Sequence, residues 1–313
     1  MQASLTAAAL AALLMASTAA HADAPSAVQS FYANMGRIGM SIGLTQQNAR
    51  AEATPVRGMY ALVTSSGKLA GYFNEAGTLY GDGTGMQVLP AARGQNLRKF
   101  TPEEILSFRA EVMNAIDYDQ LLKVNYGAGN DRKQLMFSAV DCGYCQTFEK
   151  EMAKHADKLN TTIYVMPLSL RDLNQGRAQW QAVSAISCAP DRGEAWKTFW
   201  QTQKAPTAQC AINPKIAETR YTYLKDIFRA AGITVKGTPT FVREDGTVVA
   251  STEIRYLGKT FGGSGAVATP ADPQQWLVAG APQPADATAN AEQQQQPGPK
   301  KIKLNDALKS LFN

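Results

Sequence analysis

The sequence predicts an α/β fold, α+β overall, with two domains and a tail. Three patterns support this prediction. Residues 26–81 combine one helical apolar pattern with short strand-like runs, the region from Lys133 onward alternates strands and helices, and the composition beyond Gly280 changes to Ala, Pro and Gln. The 313 residues and the 45% apolar composition are sufficient for two buried cores.

Residues 1–22 are interpreted as a secretory signal. An apolar run from Leu5 to Met15 precedes Ala20-His21-Ala22, a small-residue pattern typical of a cleavage site. The terminal amine is the only positive charge before Arg37, so an Ala-rich disordered start is the alternative. No later stretch approaches the roughly 20 apolar residues of a membrane-spanning helix, and we expect a soluble mature protein.

Residues 23–90 are predicted to form an N-terminal module with one helix and a small β-meander. Apolar side chains at helical spacing predict a helix over residues 26–38: Val28, Phe31, Tyr32 and Met35. Strand-like runs separated by turn signals follow: Gly58–Thr64, Leu69–Phe73 and Thr78–Tyr80. So few elements make a thin core, and we therefore expect this module to dimerise with a second copy.

Residues 91–125 are predicted to contain a linker helix between the domains. Thr101 suits an N-cap, Pro102 suits the first helical position, and Glu103 and Glu104 lie beside the positive end of the helix dipole. An apolar stripe follows at helical spacing: Ile105, Phe108, Val112 and Ile116. An ordinary first helix of the second domain is the alternative interpretation.

Residues 126–281 are predicted to form the second domain, and residues 282–313 a low-complexity tail with a short amphipathic end. The predicted strands of the domain include a hairpin: Leu135–Val140, Thr162–Met166, Thr240–Arg243 and Thr247–Ala250. A capped helix near residues 272–278 is predicted to close the domain. The apolar and basic end of the tail suits an envelope partner, and a frayed terminus is the alternative.

The charge and the histidine content exclude several classes of function. The net charge is +5 and the basic residues are scattered, so we expect no nucleic-acid partner. His155 is the only histidine beyond the signal, which excludes a multi-histidine metal site, and we interpret it as a solvated helix residue. We expect neither a metal nor another cofactor.

Two cysteines lie between a predicted strand and a predicted helix, in Cys142-Gly143-Tyr144-Cys145. Unsatisfied N–H groups and the dipole at a helix start stabilise an anion, so we expect the pKa of the Cys142 thiol to fall below its free value of about 8.5. Cys142 is then the attacking nucleophile, and Cys145 resolves the mixed disulfide. Asp141 is expected to oppose thiolate formation in part.

A zinc site, a haem attachment site and a structural bridge are the alternatives for this motif. Zinc needs four ligands, and the motif has no second closely spaced pair. Haem attachment requires a histidine at position 146, where the sequence has Gln146. A structural bridge is disfavoured because so short a loop at a helix start is strained and exposed.

Cys188 and Cys210, the other two cysteines, are assigned to a structural disulfide, with a second redox pair as the alternative. Thr238 and Pro239 follow Gly237 just before a predicted strand. A cis proline there would present the Thr238 backbone beside the cysteines and offer edge pairing to an extended substrate. The predicted substrate groove combines four residues: Gly143, Tyr144, Thr238 and Pro239.

Together these motifs resemble the DsbC/DsbG family of periplasmic disulfide isomerases, and the match is closest to the DsbC type. The resemblance spans residues 24 to about 280 and rests on four segments: Cys142–Cys145, Ser187–Arg192 with Ala195-Trp196 and Cys210 downstream, Gly237–Pro239 and Gly58–Gly81. It implies a thioredoxin-like domain with a helical insertion, preceded by a small cystatin-like α+β dimerisation domain and a linker helix. It also implies a homodimer in the periplasm that acts on misoxidised periplasmic or secreted proteins and is kept reduced by a membrane thiol reductase of the DsbD type.

Three features depart from the family pattern. The first two are a Gly-rich insertion at Leu257–Val267 and the tail after Gly280. The third is Pro167-Leu168, where the family has a proline-arginine element, so the resemblance does not assign the rim of the groove. We expect a protein that isomerises or reduces incorrect disulfides in exported proteins. A disulfide-donating oxidant and a non-catalytic periplasmic chaperone or assembly scaffold are the alternatives.

Overall fold

The computed structural model describes residues 23–82, 85–130, 133–154, 156, 160–207 and 212–249. These residues form two β-sheets with helices packed on both, one sheet in each half of the described chain. Within these ranges, no helix is both long enough and apolar enough to cross a bilayer. The Gly-rich insertion, the predicted helix near residues 272–278 and the tail lie outside the described residues.

The first half consists of one helix and a six-stranded antiparallel meander in sequential order. Helix α1 spans Ala24–Ile38; the Asp23 side chain caps its first turn by accepting from the Ser26 N–H at 2.8 Å, and Gly39 ends it at φ 71°. A positive φ at this position suits glycine because other residues are strained there. The strands are β1 Ala49–Ala53, β2 Met59–Thr64, β3 Leu69–Asn74, β4 Leu79–Asp82, β5 Gly85–Val88 and β6 Arg98–Lys99.

Strand β2 is buried on both faces of this sheet, and its sequence from Met59 to Val63 is accordingly apolar. Successive side chains of a strand point to opposite faces. Tyr60 and Leu62 therefore pack with Phe73 of β3 against Phe31 of α1. Met59, Ala61 and Val63, with Tyr72 of β3, face the other way into a second core.

The second core is continuous with the core of the other domain, because helix α6, Pro214–Ala230, packs on this second face of the sheet. Tyr72 is buried there and donates a hydrogen bond from its hydroxyl to Asp226 Oδ2 at 3.0 Å. Tyr223 lies edge-on to Tyr72 at 5.8 Å and donates to Glu52 Oε2 at 2.8 Å. The chain therefore covers this second face of the first sheet by itself.

Helix α2, Pro102–Ala115, also packs in the joint between the two domains, the core that they share. Its start has the predicted Thr101 N-cap, and Thr101 and Glu104 are also bonded reciprocally in a capping box that was not predicted. One side of the helix is buried in the shared core through three residues: Phe108, Val112 and Met113. Arg109 donates to the carbonyl oxygens of Ala231 at 3.2 Å and Gly232 at 3.3 Å, just beyond α6. The linker helix is thus packed between the two domains.

The second half is built on a five-stranded sheet in the order β11-β10-β8-β9-β7. Strands β8 and β9 are parallel, and the other pairs are antiparallel. Its elements are β7 Leu122–Tyr126, β8 Gln134–Ala139, α3 Gly143–Lys154, β9 Thr161–Leu168, α4 Arg177–Ser187, α5 Arg192–Thr202, α6, β10 Thr240–Val242 and β11 Val248–Val249. Because β10 runs antiparallel to β8, the start of β10 lies at the same edge of the sheet as the end of β8.

The structure contains strands that the sequence analysis did not predict. Strand β1 is Ala-Arg-Ala-Glu-Ala, a composition of weak strand formers that is held by pairing along β2. Strand β7 lies N-terminal to the predicted boundary at residue 126, yet it pairs with β9 and belongs to the second sheet. Strand β10 ends at Val242, one residue before the predicted end, and β11 begins at Val248, one residue after the predicted start; Ala250 lies outside the described residues.

We predict that Tyr72→Phe destabilises the joint between the two domains. The substitution keeps the buried ring but leaves the Asp226 carboxylate without its closest donor, so the free energy of unfolding should fall by about 1–2 kcal/mol in urea titrations. Tyr80→Phe is the control, because it removes a hydroxyl that donates to Ala70 O at 3.0 Å within the first sheet. A Tyr72→Phe protein that is no less stable than the control would contradict this role for the hydroxyl.

Candidate functional site

Cys142 lies at the edge where β8 ends and α3 begins. Its carbonyl oxygen accepts from the Gln146 N–H at 3.0 Å, the first hydrogen bond of the helix, so Cys142 occupies the N-cap. Thr238 and Pro239, joined by a cis peptide bond, immediately precede β10 at the same edge. The topology thus brings together two segments almost 100 positions apart, and the Cys142 Sγ lies 3.3 Å from the Thr238 carbonyl oxygen.

The Cys142 sulfur is surrounded by hydrogen-bond donors. The hydrogen bond from the Cys145 thiol lowers the pKa of Cys142 most, and burial opposes it. Thr238 and the backbone N–H groups of Cys145 and Tyr144 lower the pKa further, to about 6. The Cys145 N–H lies 3.2 Å from the sulfur. The contact of Thr238 with this sulfur is through its carbonyl oxygen, which accepts from the Cys142 thiol while the proton is present.

Cys145 lies one turn further into α3 and is fully buried. Burial raises the pKa of its thiol well above the usual value, and the nearby Cys142 sulfur raises it further. Both cysteines are free thiols in this structure. The two sulfurs of one motif therefore differ strongly in acidity. At neutral pH Cys142 is the thiolate and Cys145 is the proton donor beside it.

Asp141 does not act on this thiolate in the way that the sequence analysis expected. Its Oδ1 accepts from the Leu170 N–H at 2.9 Å and its Oδ2 accepts from the Ser169 hydroxyl at 3.1 Å, both just beyond β9. The carboxylate is thus bound by donors just beyond β9. The pKa of Cys142 is instead set by burial and by Cys145, Thr238 and Tyr144. The effect of Asp141 was predicted from its position next to Cys142 in sequence, which does not show the hydrogen bonds that its carboxylate makes beyond β9.

The predicted groove residues differ in exposure. Gly143 and Tyr144 are exposed, Thr238 is half-buried, and Pro239 is buried beside β10. Pro167-Leu168, at the position of the family's proline-arginine element, is buried within β9. The first exposed side chain beyond β9 is Leu170.

The remaining predicted site residues are only partly described. Cys188, at the end of α4, is disulfide-bonded. Cys210, its partner in the sequence analysis, lies outside the described residues, as does the side chain of His155. Within the described ranges, no cluster of three or more His, Cys, Asp or Glu side chains is placed to bind a metal ion.

Glu149 is a buried acid that the sequence analysis missed. It lies on α3, one turn beyond Cys145, and accepts hydrogen bonds from the Tyr126 hydroxyl and, at 2.8 Å, from the Trp196 indole N–H. Burial raises its pKa to about 7, although these two hydrogen bonds act in the opposite direction. In sequence it stands in a Lys/Glu-rich stretch that looks solvated, and only its spacing of four from Cys145 places it on the buried face.

Residues 119–254 match the family model of the thioredoxin-like domain. This match confirms the prediction that the second domain is thioredoxin-like. The cystatin-like character predicted for the N-terminal module stays a prediction. No curated protein matches the chain.

Several solved structures are similar to the chain. A disulfide interchange protein from Neisseria gonorrhoeae shares 27% identity over 43% of this chain and 87% of that chain, with a TM-score of 0.34. Proteus mirabilis ScsC in a transitional conformation shares 16% identity over 51% of this chain and 78% of that chain, with a TM-score of 0.34. Helicobacter pylori DsbG shares 14% identity over 63% of this chain and 95% of that chain, with a TM-score of 0.31. TM-scores this low do not establish a shared arrangement of the whole chain.

We predict that Cys142 of the reduced protein is alkylated by iodoacetamide with a rate that rises through about pH 6 and reaches its plateau by neutral pH. Cys145→Ala removes the donor that lowers this pKa most, so the midpoint of the rate profile should move to higher pH. Cys142→Ala is the control for reaction elsewhere. A midpoint near the free thiol value in the unmutated protein would contradict the account of the site.

We predict that Glu149 makes the protein less stable as the pH rises. Its folded-state pKa of about 7 exceeds the ordinary 4.5, so stability from the neutral acid is present at low pH and is lost as the pH rises through 7. Glu149→Gln stays neutral, and its stability relative to the unmutated protein should increase by about 2 kcal/mol between pH 5 and pH 8 in urea unfolding. Glu151→Gln, which removes a surface ion pair on the same helix, should show little of this difference. Parallel pH profiles for the Glu149→Gln and unmutated proteins would be the contrary result.

Proposed function

We propose that this protein is a thiol-disulfide exchange enzyme in which Cys142 attacks disulfides of other proteins. One observation carries the proposal: two free thiols lie three residues apart at the start of a helix, with the pKa of Cys142 lowered to about 6 and that of Cys145 raised. A thiolate is the nucleophile in disulfide exchange, and a low pKa also makes it a good leaving group. A purely structural cysteine pair has no need of this asymmetry.

The residues suggest a sequence of two exchanges. The Cys142 thiolate attacks one sulfur of a substrate disulfide, the substrate S–S bond breaks, and the second substrate sulfur leaves as a thiolate. The mixed disulfide has then two fates. In the first, the released thiolate attacks another disulfide of the substrate, and the thiolate freed there attacks the substrate sulfur bonded to Cys142. A new substrate disulfide forms, the bond to Cys142 breaks, and Cys142 leaves as a thiolate. Alternatively, Cys145 loses its proton and attacks Cys142, so the substrate leaves with two additional electrons and the enzyme becomes a disulfide.

The first fate is isomerisation and the second is reduction, and we propose both for incorrect disulfides in exported proteins. The burial of Cys145 supports this direction, because a resolving thiol with a raised pKa attacks slowly and leaves time for rearrangement within the substrate. The resemblance to the DsbC type adds the periplasm, a membrane thiol reductase of the DsbD type and a homodimer to the proposal. Since both faces of the first sheet are already covered within the chain, a second copy would bind through other surfaces of the module.

A disulfide donor is the second candidate. The low pKa of Cys142 stabilises the reduced form of the enzyme, and this makes its disulfide a better oxidant. The reduction potential of the Cys142/Cys145 pair, measured against glutathione, separates the candidates. A potential near that of strong oxidants favours donation, and a potential near or below the glutathione poise favours isomerisation or reduction.

The proposed function is tested with scrambled ribonuclease. The reduced enzyme should restore ribonuclease activity, Cys142→Ala should give only the rate of the buffer, and Cys145→Ala should accumulate mixed disulfides between Cys142 and the substrate. The double variant Cys142→Ala/Cys145→Ala controls for chaperone effects. If the double variant restores activity as well as the unmutated enzyme, the exchange proposal is wrong and a non-catalytic chaperone is favoured.

A further inference from the structure

Two large apolar side chains are exposed at the active-site edge. The described part of the chain has four large apolar side chains with high exposure: Leu106 at 60%, Tyr144 at 62%, Leu170 at 59% and Ile216 at 38%. Tyr144 lies between the two cysteines, and Leu170 follows the carboxyl end of β9, next to the end of β8. Exposed apolar side chains that gather beside a reactive group indicate a binding surface.

Leu170 is held in place by hydrogen bonds on both sides. Its own N–H donates to Asp141 Oδ1 at 2.9 Å. The N–H of the next residue, Arg171, donates to Ser169 Oγ at 3.1 Å, and the Arg171 carbonyl oxygen accepts from the Trp180 indole at 2.8 Å. The backbone around this leucine is therefore fixed although its side chain faces water. Because the backbone is already ordered here, a partner that covers Leu170 has only its side chain to order.

The contact with Asp141 also fixes how far Leu170 lies from the nucleophile. One hydrogen bond and one carboxylate side chain connect the Leu170 backbone to the residue directly before Cys142. With a spacing of 3.8 Å between neighbouring Cα atoms, the Cα of Leu170 lies within about 12 Å of the Cα of Cys142. An extended peptide covers this distance in about four residues or fewer. Side chains within a few residues of a substrate cysteine bound to Cys142 are therefore within reach of Leu170.

We propose that Leu170, with Tyr144, selects polypeptide disulfides whose cysteine is flanked within a few residues by bulky apolar side chains. This inference rests on the proposed exchange at Cys142. Such cysteines are buried in correctly folded proteins, so this surface distinguishes misfolded chains from folded ones. Leu170 is a specificity-determining residue that contacts the flanking side chain and leaves the sulfur chemistry to Cys142.

The test uses the reduced full chain and three disulfide substrates. For each substrate it measures the single-turnover rate constant of reduction. Two are intramolecular disulfide peptides of equal length and charge, one with leucines beside its cysteines and one with serines, and the third is hydroxyethyl disulfide, which has no side chains. In each reaction two thiols of the enzyme become its disulfide and the substrate disulfide becomes two thiols. Leu170→Ser should lower the rate constant for the leucine peptide about fivefold, from partial burial of one leucine side chain. The other two rate constants should stay within about twofold, a change too small to count in this comparison.

Leu106→Ser is the matched control, since Leu106 is equally exposed but lies on α2. It should change none of the three rate constants. Leu170→Gln, which keeps a side chain of similar bulk but makes its end polar, serves as a second variant if Leu170→Ser unfolds at a lower urea concentration. Equal losses on all three substrates would show that position 170 acts on the sulfur through Asp141, and unchanged selectivity would show no contact; either result overturns the inference. If the unmutated protein reduces none of the three, the proposed function itself is wrong.

Discussion

The site depends on the stabilisation of one thiolate at the start of a helix. Three donors converge on the Cys142 sulfur, the Cys145 thiol and two backbone N–H groups of the first turn of α3, and the Thr238 carbonyl oxygen lies 3.3 Å from it. Each of them reaches this point for a separate structural reason. The helix supplies the N–H groups because its first turn has no internal acceptors for them, and the antiparallel pairing of β10 with β8 brings Thr238 to the same edge. A site made in this way needs no histidine or metal to activate its nucleophile.

The second constraint is the shared core between the domains. In β2, alternate side chains pack against α1 and against the second domain, so the first module and the thioredoxin-like domain form one continuous packed unit. Tyr72 and Tyr223 carry the polar part of this contact, since each places an aromatic ring in the joint and donates its hydroxyl to a carboxylate of the other domain. Helix α2 packs between the two domains. The orientation of the active-site edge relative to the N-terminal module is therefore set by packing within the chain.

Local signals made part of this structure predictable. The cysteine motif, the capping residues of α2 and the apolar periodicity of α1 each carry their own physical reason within a few residues of sequence. The features that were missed depend on contacts between distant segments. Strand β1 exists because β2 pairs with it, and Glu149 is buried because Tyr126 and Trp196 supply donors. The Asp141 carboxylate is bound beyond β9 because the Leu170 N–H and the Ser169 hydroxyl donate to it. None of these partners could be assigned from the sequence around the residue itself.

The most direct test of the central claim observes the two sulfurs separately. With ¹³C placed at Cβ of the cysteines of the reduced full chain, the chemical shift of each Cβ reports the protonation of its own sulfur as the pH is changed. The account predicts that the Cys142 signal titrates near pH 6 and that the Cys145 signal does not titrate below its ordinary value of about 9. If both signals titrate together near the value of a free thiol, Cys142 is not a stabilised thiolate and the account is contradicted.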